Sequence, residues 1–209
     1  MDYFTLMVEI SDPSKFYDDR VNNYGLSAET VGWKSYEQQI LRFEVLTAEL
    51  ELKNKNILDI GCGLGDLANY LHLNKVQFKK YTGIDVSDNM LTMARHNVLP
   101  HLSTFFFNCN ILKDTISEKY DFAIMSGLLN LKQSTCSGME LLEIFLNKSR
   151  AIVKEGLAFN LLTDQVDFVQ PHHVHFNSKQ VRIFTAKYFK NVIVHENYGL
   201  YEFTVIGLV

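Results

Sequence analysis

The chain has 209 residues, of which 47% are hydrophobic and 21% charged, and a net charge of −4. That balance suits one soluble domain with a full core, or one domain with a small appendage, and argues against a nucleic-acid binder, which is usually basic. No stretch is apolar for long enough to cross a bilayer, the opening MDYFTLMVEI lacks the pattern of a secretory signal, and Cys62, Cys109 and Cys136 are too few and too scattered for a zinc site or a disulfide framework, so a reduced, cytoplasmic setting without a membrane partner is expected.

In chain order, residues 1–30 are polar and mixed. The segment 34–52, KSYEQQILRFEVLTAELEL, places Ile40, Phe43, Leu46 and Leu50 at helical spacing. NILDI (56–60) reads as a short buried strand and LGDLANYLHL (64–73) as the helix after it. KYTGID (80–85) is a second strand and SDNMLTMARHNV (87–98) a second helix, with Ser87 as N-cap. STFFFN (103–108) and YDFAIMS (120–126) are strands, GMELLEIFLNKSRAIV (138–153) a helix and GLAFNLLT (156–163) a strand. SKQVRIFTAKYF (178–189) is a helix opened by Ser178, and NVIVHENY (191–198) and YEFTVIGLV (201–209) form a hairpin around Gly199. The alternation predicts an α/β fold: a Rossmann-like, seven-stranded, mostly parallel sheet with helices on both faces and a C-terminal antiparallel hairpin. Residues 1–52 form an N-terminal helical or lid segment and 53–209 the core domain.

Three glycines, Gly61, Gly63 and Gly65, stand between the first strand and its helix. Glycine there costs backbone entropy, which close approach of a ligand to bare backbone would offset; the plainer reading is a tight turn. A dinucleotide loop of G-x-G-x-x-G type wants glycine at 66, where Asp66 stands. Asp59 precedes the loop, and Asp85 closes the second strand, where an acid can accept two ribose hydroxyls. The ligand is therefore a nucleoside without a pyrophosphate on the helix N-terminus.

With LDIGCGLG as first motif and GIDVS as second, the sequence resembles the class I S-adenosylmethionine-dependent methyltransferases. YGLSAETVGW, LRFEVL, SGLLN, LAFNLL and YEFTV resemble a small bacterial branch of that family, often associated with surface-saccharide gene clusters; the likeness runs from about residue 20 onward. The resemblance implies S-adenosyl-L-methionine as methyl donor and S-adenosyl-L-homocysteine as product. It places Gly61, Cys62, Gly63 and Gly65 beside the methionine moiety, Asp59 at its amino group and Asp85 on the ribose. Val86 and Met90 flank adenine, and Asn110 and the backbone of Ile111 serve its amino group. Ser126 and Gly127 lie near the sulfonium. Trp33 and Arg42 match branch positions ahead of the core, Arg42 holding the cofactor carboxylate. Trp33 reads equally as a core aromatic, Arg42 as a solvated helix charge and Met90 as core.

The run QPHHVHF offers His172, His173 and His175. In an extended chain His173 and His175 share a side while His172 opposes them, and no nearby cysteine completes a metal site, so no metal is expected; the run is either a solvated loop or a wall of the acceptor cleft. His173, His175 and Asp164 are positional candidates for a base or acceptor contact, and Asn130 and Asn160 for substrate binding, because they follow strand ends on the active rim. Glu196, Tyr198, Tyr201 and Glu202 read as ordinary surface around the hairpin turn. Together with these polar rim residues, the resemblance implies O-methylation of a saccharide or sugar-nucleotide intermediate of surface-polysaccharide synthesis as the expected reaction, with a small amine acceptor, or a non-catalytic cofactor-binding protein, as alternatives. Oligomeric state is left open.

Overall fold

A computed structural model of the chain describes residues 13–133 and 136–209. Six helices and seven strands follow one another as α1 (Pro13–Tyr24), α2 (Tyr36–Thr47), β1 (Asn56–Ile60), α3 (Asp66–Leu73), β2 (Lys80–Asp85), α4 (Asp88–Asn97), β3 (Thr104–Asn108), β4 (Tyr120–Met125), α5 (Gly138–Ile152), β5 (Val153–Leu162), α6 (Ser178–Thr185), β6 (Asn191–His195) and β7 (Glu202–Leu208). The strands form one sheet in the order β3-β2-β1-β4-β5-β7-β6. All neighbours are parallel except β7, which runs antiparallel to both β5 and β6. The fold is thus the Rossmann-like architecture that the alternation predicts. Strand order reverses between β1 and β4, which opens a crevice beyond their carboxyl ends.

Both sheet faces are covered, so the central strands are apolar throughout rather than alternating. Ile57, Ile124, Ala158 and Ile206 point to one face, packed with Phe43, Leu71 and Leu91 of α2, α3 and α4. Leu58, Ala123, Phe159 and Val205 point to the other, packed with Phe145 of α5 and Val181 of α6. Each such buried large aliphatic or aromatic side chain contributes about 1.5–3 kcal/mol.

Helix starts follow local chemistry. Ser87 caps α4 by accepting the Met90 amide at 3.0 Å. Ser137 and Glu140 form a capping box on α5. The cap of α6 is Asn177, which accepts the Gln180 amide at 3.2 Å, and Ser178 is the first helical residue instead of the cap. Several boundaries differ from the sequence expectation, and one helix was not expected. β5 starts at Val153, directly after α5, and α1 occupies a segment that reads only as mixed and polar.

Candidate active site

The loop after β1 is tied to β2, since the amides of Gly61 and Cys62 both donate to the Ile84 carbonyl, at 2.8 and 3.0 Å. The three glycines then separate by role. Gly61 and Gly63 line a cleft at the crevice, while Gly65 does not. Gly65, at φ 74°, caps α3 with its α-carbon against Val98 and Phe106, where a Cβ would lie 2.7 Å from Val98 Cγ2. It lets helix and strand approach closely; it does not face the ligand space. Gly63, at φ 51°, keeps backbone bare where a Cβ would meet Val31 at 2.7 Å.

The Asp85 carboxylate, at the end of β2, accepts the Gly63 amide at 3.0 Å and the Ser87 amide at 3.0 Å. Burial raises its pKa, and these backbone bonds oppose the rise. Asp59 is buried at the end of β1 and accepts the Tyr81 hydroxyl. Burial pushes its pKa up to about 7, against that hydrogen bond. Asp66, which blocks a pyrophosphate loop, is held by Gln39 of α2 at 2.9 Å and Asn97 of α4 at 2.8 Å.

Around this core the cleft is lined by Asp59, Gly61, Cys62, Gly63, Asp85, Val86, Met90, Asn110, Ile111, Ser126, Gly127 and Trp33, and it holds about 1250 Å³ of open space. The amide oxygen of Asn110 already accepts the Leu112 N–H at 3.0 Å. Residues that sequence reasoning missed also line it, chiefly Tyr17 and Gln39. Tyr17 comes from α1, which is fastened to α4 by a 2.5 Å hydrogen bond from the Ser87 hydroxyl to Asp18. Burial and the nearby Asp85 push the Tyr17 pKa up to about 12. No motif marks these residues, because their positions depend on how α1 and α2 dock.

A second cleft adjoins the first and shares Tyr17, Val31, Trp33, Gly127 and Leu131 with it. Here lie Arg42, Asn130, His172, His173 and His175. His172 and His173 do not point apart. The chain turns at 170–173, with the His173 amide on the Gln170 carbonyl at 3.1 Å, and the two rings meet edge to face at 4.8 Å. The segment is pinned to the loop after β4: Lys132 N donates to His172 O at 2.9 Å and Val174 N to Asn130 O at 2.9 Å. Among the described residues, no group of three His, Cys, Asp or Glu is arranged to hold a metal ion.

Besides Gly65, three candidates fall elsewhere than expected. Arg42 is not a free cation at the cofactor cleft. It is buried, pairs through Nε and Nη2 with Glu202, donates to the Gln38 carbonyl at 2.9 Å and lies 3.8 Å from the Trp33 ring centroid. Glu202 is correspondingly 3% exposed, and so is not surface. Asn160 lines neither cleft: fully buried, it accepts the Gly127 amide at 2.8 Å and donates to Glu202 at 2.6 Å. Asp164 also lies outside both clefts and accepts from Gln165 and Asn177, each at 3.0 Å, which holds its pKa low. Together Trp33, Arg42, Glu202 and Asn160 clamp Gly127, whose α-carbon sits so close to Trp33 that a Cβ would be 2.5 Å from it.

The chain matches a family model described as "Methyltransferase domain" over residues 58–156. It is 30% identical over 156 residues to a protein of Mycobacterium tuberculosis (strain ATCC 25618 / H37Rv) named as a methyltransferase, Rv1506c, covering 72% of this chain and 91% of that one. It is 30% identical over 88 residues to the ubiquinone biosynthesis O-methyltransferase of Neisseria meningitidis serogroup C (strain 053442), covering 41% of this chain and 36% of that one. Among solved structures, magnesium protoporphyrin IX methyltransferase (ChlM) from Synechocystis PCC 6803 with bound SAH aligns with TM-score 0.65 and 16% identity, covering 93% of this chain and 95% of that one. The DhpI–SAH complex aligns with TM-score 0.67 and 14% identity, over 92% of both. Bare backbone at Gly61 and Gly63, an acid at the end of β2 and an apolar wall at Val86, Met90 and Ile111 fit the amino acid, ribose and base of S-adenosylmethionine, and the chain belongs to the class I S-adenosylmethionine-dependent methyltransferases.

Proposed function

We propose that the chain methylates a hydroxyl of a small polar acceptor, a saccharide or sugar-nucleotide intermediate, held in the second cleft. The carrying observation is that the two clefts are continuous through Trp33, Gly127 and Leu131. A nucleophile in one can therefore face a methyl group in the other. In this reading Gly61 and Gly63 take the methionine moiety, Asp59 its ammonium, Asp85 the ribose hydroxyls and Val86, Met90, Asn110 and Ile111 the adenine, with Ser126 and Gly127 at the sulfonium. Bound S-adenosylmethionine supplies a methyl group already activated on sulfur. The protein's task is alignment and exclusion of water, which in favourable cases is worth about 7–11 kcal/mol. We assign α1, in the described part of the N-terminal segment that precedes the core of 53–209, and the segment 163–177 as covers for the two ligands.

A hydroxyl must also lose its proton, which calls for a base. His175 Nδ1 lies 2.7 Å from the Thr163 carbonyl. A carbonyl only accepts, so Nδ1 carries the proton and Nε2 is left as acceptor; Nε2 is buried without a partner among the described residues, and segment 163–177 must shift to bring a hydroxyl to it. His173 is a poor proton acceptor, because burial and its neighbours His172 and His175 bring its pKa down to about 4. His175 is therefore our base. The test is a panel of nucleotide-sugars, free sugars, amines, peptides, a lipid extract and RNA, each with labelled donor. Transfer to nucleotide-sugar or sugar, lost in His175→Gln with S-adenosylhomocysteine binding intact, supports the reading. Transfer only to amine, peptide, lipid or RNA overturns it.

A further inference from the structure

We infer that the acceptor carries a phosphoryl group, bound in the second cleft by Arg20 and Lys34; this rests on that cleft being the acceptor site. The whole chain is acidic, at −4, yet this cleft is not. Among the described residues its lining contains Arg20, Lys34 and Arg42 but a single carboxylate, Glu202, and that one is consumed by Arg42 in a buried ion pair. Arg20 and Lys34 form no ion pair with any carboxylate of the described residues.

Arg20 is held in place without being neutralised. Its Nε donates to the Thr30 carbonyl at 3.0 Å and its Nη2 to the Glu29 carbonyl, while Phe16 and Tyr24 lie 5.6 and 5.2 Å from it, ring centroid to Cζ. Nη1 makes no hydrogen bond among the described residues. Carbonyls and rings fix the fork but leave its full charge for a ligand. Lys34 is exposed and follows Trp33, one of the residues shared by both clefts. His172 and His173 complete the lining on the opposite segment.

Among the described residues a cationic amine would meet here two positive charges without a paired carboxylate, and no free carboxylate. A neutral sugar would leave both cations without a counter-charge. A phosphate monoester or a pyrophosphate carries about two negative charges, matching a guanidinium and an ammonium together, whereas a carboxylate carries one.

The experiment is calorimetry on the full chain saturated with S-adenosylhomocysteine, titrated at fixed ionic strength with inorganic pyrophosphate, inorganic phosphate, acetate and a short RNA. We expect pyrophosphate to bind, acetate to give no measurable heat, and Lys34→Glu to weaken pyrophosphate about tenfold or more while leaving S-adenosylhomocysteine affinity unchanged. Arg20→Gln should act in the same direction; since Arg20 also fastens α1 to Glu29 and Thr30, Lys34→Glu decides if that variant loses its fold. No pyrophosphate binding by a protein that binds S-adenosylhomocysteine overturns the inference. So does equal binding by wild type and Lys34→Glu, or tighter binding of the RNA. Failure of the well-folded wild type to bind S-adenosylhomocysteine would instead strike the assignment of the first cleft.

Discussion

At Asp85 the carboxylate both braces the glycine loop, through Gly63, and starts α4, through Ser87. Asp85→Ala should weaken S-adenosylhomocysteine by about 1.5–3 kcal/mol, tenfold or more, through loss of charged-acceptor bonds; calorimetry alongside circular dichroism separates this from unfolding. Asp59 predicts a pH dependence. Tyr81, Asp85 and Asp66 act on it, and burial raises its pKa from 3.8 to about 7. A raised acid favours folding while protonated, so its contribution to apoprotein stability is full below about pH 4 and is lost as pH rises through 7. A ligand ammonium beside it favours the ionised form. S-adenosylhomocysteine should therefore bind more tightly as pH climbs from about 6 to 7, with proton release seen as a buffer-dependent binding enthalpy. Flat affinity without proton release would detach Asp59 from the ammonium.

The β6–β7 hairpin contributes more than a sheet edge, for β7 delivers Glu202 to Arg42 of α2 and to Asn160 of β5. Glu202→Gln leaves a buried guanidinium without its counter-charge, a loss of about 3–5 kcal/mol that urea denaturation should register. An unshifted midpoint would mean that Arg42 escapes to water. This cluster also shows where sequence reasoning stops. The strands were legible because apolar runs of strand length ended at glycine or at an acid, and the cofactor cleft was legible because its residues sit at strand ends. Arg42 and Glu202 are separated by 160 positions, and neither residue type announces a pairing. Gly65 looked like its two neighbours in the motif, although its constraint comes from Val98 and Phe106 across a helix–strand contact. Helix α1 was hidden because much of its apolar surface, at Phe16 and Tyr17, faces the clefts. The histidine run misled because alternation holds only for an extended chain, and this one turns at Gln170.

Across the whole molecule, a sheet buried on both faces supports two thinner covers. Helix α1 is held through Asp18 and Ser87, and residues 163–177 through backbone bonds to the β4 loop and the end of β5. Such segments open at lower free energy than central strands. Amide exchange in 13–24 should slow when S-adenosylhomocysteine binds, while β4 and β5 stay unchanged; uniform slowing across the sheet would mean that the ligand stabilises globally and that α1 is no cover. The place of β7 between β5 and β6 has a further consequence for birth of the chain on the ribosome. The strand made last of the seven is an interior one. Until it emerges, β5 has one edge unpaired, β6 has no strand neighbour at all, and Arg42 waits for its acid. The nascent polypeptide thus carries an unfinished edge from the completion of β5 until β7 is made, and closure of the sheet, capture of the guanidinium and bracing of the Gly127 loop by Asn160 should all be completed together once residues 202–208 arrive.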